Sequence, residues 1–216
     1  MTNKRGLTMD GKIHALIGAG TGVAVAQSTG QDAINTAILM GAGVIAALAP
    51  DLDTAGKLAN KISLSHKMIQ SFVRSTGILL AIYAWFMLAG TEQYMGLTLG
   101  AFLLFIAPKF SQKLMLFISG AAIIAGGILL SQTWVWLAGA YVTVAALVSH
   151  RGYTHSIIGW LFFSLVAYYV HTEFAVHGLF WTLVFAYGSH LVADMRFVPG
   201  NKRGIKLLLP FSKKGV

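Results

Sequence analysis

The sequence has no cysteine, only four prolines and little charge, with Asp, Glu, Lys and Arg making up 11% of its 216 residues. Without cysteine, disulfides and thiolate metal sites are excluded. Any bound metal then falls to imidazole and carboxylate, which suits zinc, manganese or iron better than copper(I). A soluble domain carries about 25% charged residues. This chain has under half that share, is 56% hydrophobic and has a mean hydropathy of +0.70, so its apolar surface must face lipid. The alternating ten-residue strands of a membrane β-barrel are absent too. The composition therefore predicts an all-α polytopic transmembrane helical bundle, a single domain over residues 1–216 with no internal repeat.

Apolar stretches run over about 13–27, 33–49, 75–90, 94–108, 114–131, 133–149, 156–170 and 178–195. A crossing helix needs about 20 residues, so the first and fourth stretches are short enough to read as re-entrant. The basic residues argue instead that all eight cross. With the N-terminus inside, the inner connections hold Lys4, Arg5 and Lys12; Lys57, Lys61, Lys67 and Arg74; Lys109 and Lys113; Arg151; and Arg196, Lys202, Arg203, Lys206, Lys213 and Lys214. These are all 16 Lys and Arg of the chain. The outer connections, near 28–32, 91–93, 131–133 and 171–177, hold none and carry Asp32, Glu92 and Glu173. Cytoplasmic loops collect Lys and Arg, and removing one span would break the separation. The sequence predicts about eight spans in the inner or plasma membrane, with both termini cytoplasmic. One competing reading concerns the start, where Ala24-Val25-Ala26 before Gln27 resembles a signal-peptide cleavage site and would leave seven spans.

The net charge of +9 suits contact with anionic head groups. No loop interleaves aromatic and basic residues as a nucleic-acid binder does, so the expected partner is membrane lipid and not nucleic acid. Residues 54–74 read as an amphipathic surface helix broken near 63–65. The basic tail 196–216, with an apolar patch at 207–211, reads as lying along the inner leaflet.

That topology, assigned from Lys and Arg alone, also gathers other residues. His14, Asp51, Asp53, His150, His155, His190 and Asp194 all fall at the cytoplasmic ends of their helices. His190 and Asp194 are four apart, on one helix face. Asp51 and Asp53 sit in a segment expected to be extended, after Pro50 has helped to end a helix. Gly18 and Gly22, beneath His14, permit the close helix approach that would carry it to its partners. In Ser-His-Arg-Gly-Tyr-Thr-His-Ser, 149–156, Gly152 permits a turn, and Thr154 and Ser156 suit the cap of the next helix. Each feature alone has a structural explanation, since an interfacial His often bonds a helix end and a carboxylate after Pro often caps a turn. Together they place four His and three Asp at one face of a chain with seven of each class. Ionisable groups at membrane depth are costly to hold and mark function, and this set reads as the site of one or two divalent metal ions. His171 and His177 fall on the other side, and His66 is left out of the set.

Read together, His14, Pro50-Asp51-Leu52-Asp53, His150-Arg151-Gly152-Tyr153-Thr154-His155-Ser156 and His190-Leu191-Val192-Ala193-Asp194 resemble the YdjM family. The resemblance implies an inner-membrane metal-dependent hydrolase, some of whose relatives bear a LexA-binding label. After Asp194 the sequence departs from the family pattern. Met195-Arg196-Phe197 stand where the family has a Thr, and Gly204 and the Leu-Leu-Leu-Pro of 207–210 come later. The family is in turn similar to zinc-dependent phospholipase C, which implies phosphoester hydrolysis by analogy. On that footing the seven His and Asp are metal ligands, for zinc or otherwise manganese. Asp51 and Asp53 act as catalytic carboxylates, one bridging two ions and the other orienting a metal-activated water or accepting its proton. Arg151 pairs with phosphate oxygens, Thr154 fixes a ligand or caps, and the substrate is a lipid phosphoester at the cytoplasmic face. Two readings of other classes stand beside this. A metal or proton transporter needs polar residues continuing through the bilayer, whereas here they stop at one face. A scaffold that binds a regulator would not need the His and Asp at all. Oligomeric state is left open.

Overall fold

The computed structural model describes residues 11–54, 56–197, 204–212 and 214–216, and among these no strand occurs. Lys4, Arg5, Lys202, Arg203 and Lys213 of the basic set lie outside the described residues. The helices are α1 (Gly11–Ser28), α2 (Ala33–Leu48), α3 (Lys57–Ile62), α4 (His66–Met87), α5 (Gly90–Ile106), α6 (Gln112–Leu129), α7 (Thr133–Leu147), α8 (Ile157–Phe174) and α9 (Leu179–Ala193). Eight of them follow the apolar runs, but 66–74, expected as surface helix, is continuous with the next run in α4, and only α3, before the break at 63–65, stays separate. The break has a local cause. Ser65 caps α4 by accepting from the Met68 amide, satisfying a backbone donor that a helix start leaves without a partner. Ser111, Ser156 and Asp32 do the same for α6, α8 and α2.

By length and hydropathy α4, α6 and α8 can each cross a membrane, and α2, α7 and α9 are shorter apolar helices. The long helices pack as the hairpins α1–α2, α4–α5, α6–α7 and α8–α9. Each hairpin closes through a short turn, so the longer connections 49–65, 107–111 and 148–156 fall together at the opposite end.

Glycine sets how closely α1 and α2 meet. A Cβ on Gly18 would lie 2.3 Å from the Gly43 carbonyl oxygen, and one on Gly22 equally close to the Leu39 carbonyl. Such backbone contact is open only to residues without a side chain. α9 packs across α1 and α2 and also against α8. The core this builds includes Leu39, Tyr141, Phe163, Tyr187 and Leu191, and no residue of α4 or α5 belongs to it. Instead, the α4–α5 hairpin is fastened at its base. Gln112 donates to the Ala59 carbonyl at 3.2 Å and to Ser63 Oγ at 2.5 Å, and its Oε1 meets His66 Nδ1 at 2.5 Å.

Two local expectations are corrected. Residues 50–53 are not extended but form a 3-10 turn, Pro50–Asp53. The fixed φ of Pro50 opens the turn, and Thr54 N–H donates to the Asp51 carbonyl to close it. The residue at the 149–156 bend with positive φ is Arg151 at 58°, not Gly152. Gly152 is needed for room, because a Cβ there would meet the Ser149 carbonyl oxygen at 2.6 Å.

Candidate metal centre

His14 lies in the first turn of α1, buried, with its ring stacked on that of His190 at 3.9 Å between centroids. The glycine contacts deeper along α1 hold it there. His190 Nδ1–H donates to the Ala47 carbonyl at 2.6 Å. That bond fixes the tautomer and leaves a lone pair on Nε2, the other ring nitrogen. His155 ends the short turn Tyr153–His155 and is fully buried. Its Nδ1 faces Asp53 Oδ2 at 3.4 Å and Thr154 Oγ1 at 3.1 Å, which leaves its Nε2 to meet His190.

The two Nε2 atoms are 3.2 Å apart. Asp51 Oδ1 lies 3.6 Å from His155 Nε2 and 3.8 Å from His190 Nε2, and Asp194 Oδ2 lies at the same two distances. Lone pairs this close repel unless a proton or a cation lies between them. Around a tetrahedral cation with bonds of about 2.0–2.1 Å, neighbouring ligand atoms are roughly 3.3–3.4 Å apart. The two imidazole nitrogens, with either carboxylate oxygen, therefore come close to the spacing of ligands around one cation. Taken as potential ligands, His14, His190 and Asp194 form one triad and Asp51, His150 and His155 another, each with its ligand atoms within 4.8 Å of one another. His14 Nε2 is 3.5 Å from Asp194 Oδ1, and its Nδ1 is buried without a hydrogen-bond partner among the described residues. His150, 45% exposed, is the most open of the imidazoles in the set, and its Nδ1 bonds Asp53 Oδ1 at 2.9 Å.

Asp53 occupies a different place from the other carboxylates. It belongs to neither triad, and its oxygens are engaged by protein groups. Oδ1 meets His150, while Oδ2 accepts from the Arg151 amide at 3.1 Å and from the Thr154 hydroxyl at 2.6 Å. These bonds pin the 149–156 bend onto the Pro50–Asp53 turn, and the Arg151 amide bond holds that residue in its left-handed conformation. A non-glycine residue held there stores of order 1–3 kcal/mol. The Arg151 side chain is 26% exposed, and its guanidinium donates to the Gly204 carbonyl at 3.3 Å and lies 3.7 Å from Asp194 Oδ2.

Burial opposes ionisation of Asp53, yet the bonds from His150, His155 and Thr154 outweigh it and hold this carboxyl well below its ordinary value. Burial likewise opposes ionisation of Asp51, which is held low by His155 and His190. For His155, burial would lower the imidazole pKa, but Asp51 and Asp53 push it up to about 9 from 6.5. A raised imidazole pKa stabilises the fold fully below the free value, and that stabilisation is lost as pH rises through the folded one. Chelator-treated protein is thus expected to unfold at progressively lower temperature from pH 6.5 to about 9. A melting temperature that is flat or rising across that window would contradict the His155–carboxylate pairing.

Two contributors were not visible in the sequence. The Tyr187 hydroxyl donates to the Thr154 carbonyl and lies 3.0 Å from the Tyr141 hydroxyl, both rings being buried. A hydroxyl in the apolar 178–195 run, one helical turn before His190, was the available signal. The second is the tail. Ile205 is buried in the core, Leu207 accepts from the Ile157 amide at 2.9 Å, and Gly204 receives Arg151. The patch at 207–211 is thus only partly surface, since Leu207 and Leu209 are half-buried while Phe211 is exposed.

The family model described as YdjM inner membrane protein matches residues 9–216, a range that takes in α1 and every residue of the cluster. No curated protein and no solved structure matches.

Proposed function

The chain belongs to the YdjM inner membrane protein family, and from that premise we propose a membrane-bound metal-dependent hydrolase that cleaves a lipid phosphoester. The observation that carries this reading is the 3.2 Å approach of His155 Nε2 and His190 Nε2 between Asp51 and Asp194. His155, His190, Asp51 and Asp194 would hold the cation, with His14 and His150 at the flanks available to a second. Nitrogen and carboxylate donors suit zinc, with manganese as the second choice. A bound divalent cation supplies Lewis acidity, polarising a phosphoryl oxygen and acidifying water.

The protein's own groups do the rest. Asp51, 28% exposed, is the most open of the three carboxylates, so it is the one placed to orient a water or accept its proton. Asp53 acts through His155, since a carboxylate on the far ring nitrogen fixes the ring and raises its basicity. It is therefore a positioning residue in this reading. Arg151 presents a planar guanidinium whose fork matches two phosphate oxygens and stabilises developing charge. Its strained backbone is consistent with a residue held for function. Beyond the cluster the buried side chains include Leu39, Phe163 and Val166, which favours a hydrolase over a transporter.

The basic residues favour eight spans with the cluster facing the cytoplasm. In this cysteine-free chain, Glu173→Cys is expected to react only with reagent added outside, and cytoplasmic labelling would reverse the orientation. The activity is tested with purified protein in vesicles of phosphatidylcholine doped with phosphatidic acid. Release of inorganic phosphate and one to two equivalents of zinc or manganese are expected, with chelation abolishing release and metal restoring it. A stable protein that binds no divalent metal would sink the proposal.

A further inference from the structure

A groove of about 720 Å³ runs between α1 and α8 with α9 as its floor, lined by Ile17, Ile157, Trp160, Phe185, Val192 and Leu207. Its size lies in the range of about 300–1,000 Å³ typical of small-ligand sites. The polar groups at its wall are already engaged. Trp160 Nε1–H donates to the Val184 carbonyl at 2.9 Å, and Ser189 Oγ–H to the Ala186 carbonyl at 2.7 Å. Neither seeks a partner in the groove, so the chemistry that fits it is hydrocarbon.

The direction of the groove says more. Phe185, Gly188, Ser189 and Val192 form one stripe of α9, spanning about 10 Å of helix axis. The stripe runs to the end of the helix, where Ala193 and Met195 of the lining flank Asp194 while His190 sits around the helix on its buried side, and Gly188 and Ser189 supply the recess. On α1, Ile17 follows His14 by three residues. On α8, Ile157 follows His155 by two. Each of the three helices that shape the groove thus also brings a ligand of the metal centre to its end.

We infer that this groove seats one acyl chain of a lipid phosphoester whose phosphate lies at the His155–His190 centre beside Arg151. The inference rests on the hydrolase reading for its head group and on the groove for its chain. It places the substrate in the leaflet, reached sideways between α1 and α8, and makes a water-soluble phosphoester a poor substrate. An apolar chain carrying an anionic head is the one ligand that uses both parts.

The test is photolabelling of the full chain in phosphatidylcholine vesicles doped with phosphatidic acid bearing a diazirine in one acyl chain. Label is expected on 157–160 and 185–195 in excess over the exposed Phe86 of α4, and unlabelled phosphatidic acid should compete it away. Uniform label, or an excess that phosphatidylcholine competes equally well, overturns the groove. Filling the recess with Ser189→Phe, or separately Val192→Trp, is expected to lower the preference for long-chain over short-chain phosphatidic acid about tenfold. Excluding even two methylenes corresponds to that factor. An unchanged preference in both variants overturns the inference as well. If the wild-type protein releases no phosphate from either lipid, the hydrolase reading fails, and the labelling pattern alone decides whether the groove holds a chain.

Discussion

His155→Ala is expected to lower phosphate release from phosphatidic acid by about 10³-fold. A catalytic metal contributes several kcal/mol of charge stabilisation in the transition state, and each 1.36 kcal/mol is tenfold in rate. His155 is fully buried and presents Nε2 to His190 and two carboxylates. Alanine removes a candidate ligand and leaves Asp51 and Asp53 without the imidazole they share. Asp53→Asn is the informative companion, because it keeps the shape of the site and alters only what lies behind the ring. Loss of such an outer partner costs about 10–100-fold in metal affinity or activity. Phosphate release, metal content and melting temperature measured on both variants separate the two roles. Wild-type activity in His155→Ala would mean that the centre is not catalytic. A loss in Asp53→Asn as deep as in His155→Ala would return Asp53 to the ligands.

Gly18→Leu is expected to destabilise the protein by about 3 kcal/mol or more and to empty the centre. Overpacking a well-filled contact typically costs about 1–3 kcal/mol. Here the obstacle is the Gly43 carbonyl, 2.3 Å from the new Cβ, and backbone cannot turn aside as a side chain does. Relief requires α1 to move off α2, which carries His14 away from Asp194 and His190. Gly20→Leu is the control on the same helix, because a Cβ there meets nothing within 4 Å. The expected pattern is lost metal and a lower melting temperature for Gly18→Leu, with both retained in Gly20→Leu. Equal behaviour of the two variants would show that close packing of α1 does not position His14.

Long-range assembly was legible here because the membrane reduces the problem to helix ends. The eight apolar runs located the long helices, and Gly18 and Gly22 announced the tight α1–α2 contact. The topology read from Lys and Arg put His14, Asp51, His155, His190 and Asp194 at one end, where the structure joins them. What sequence spacing could not resolve was which atoms face inward. Asp51 and Asp53 look alike in Pro-Asp-Leu-Asp. The 3-10 turn, however, directs one toward the imidazole Nε2 atoms and the other onto Arg151, Thr154 and the far side of His155. Positive φ at Arg151 was hidden because the neighbouring Gly152 is the conventional candidate. Tyr187 and the Gly204–Ile205 segment were silent because their roles depend on partners 33 and 53 residues away in the chain.

The fastening of α4 and α5 has one more consequence. Gln112 clasps Ala59, Ser63 and His66 where the chain leaves for the hairpin and where it returns, and the paired helices contribute nothing to the core. Residues 67–111 are therefore a detachable module in topology, a loop with its two ends buttoned together. Such a segment is free to lengthen, shorten or diverge in the surrounding lipid without transmitting strain to the imidazoles and carboxylates. Variation between proteins built on this plan should accumulate in that paddle first, leaving the other three hairpins as the invariant engine.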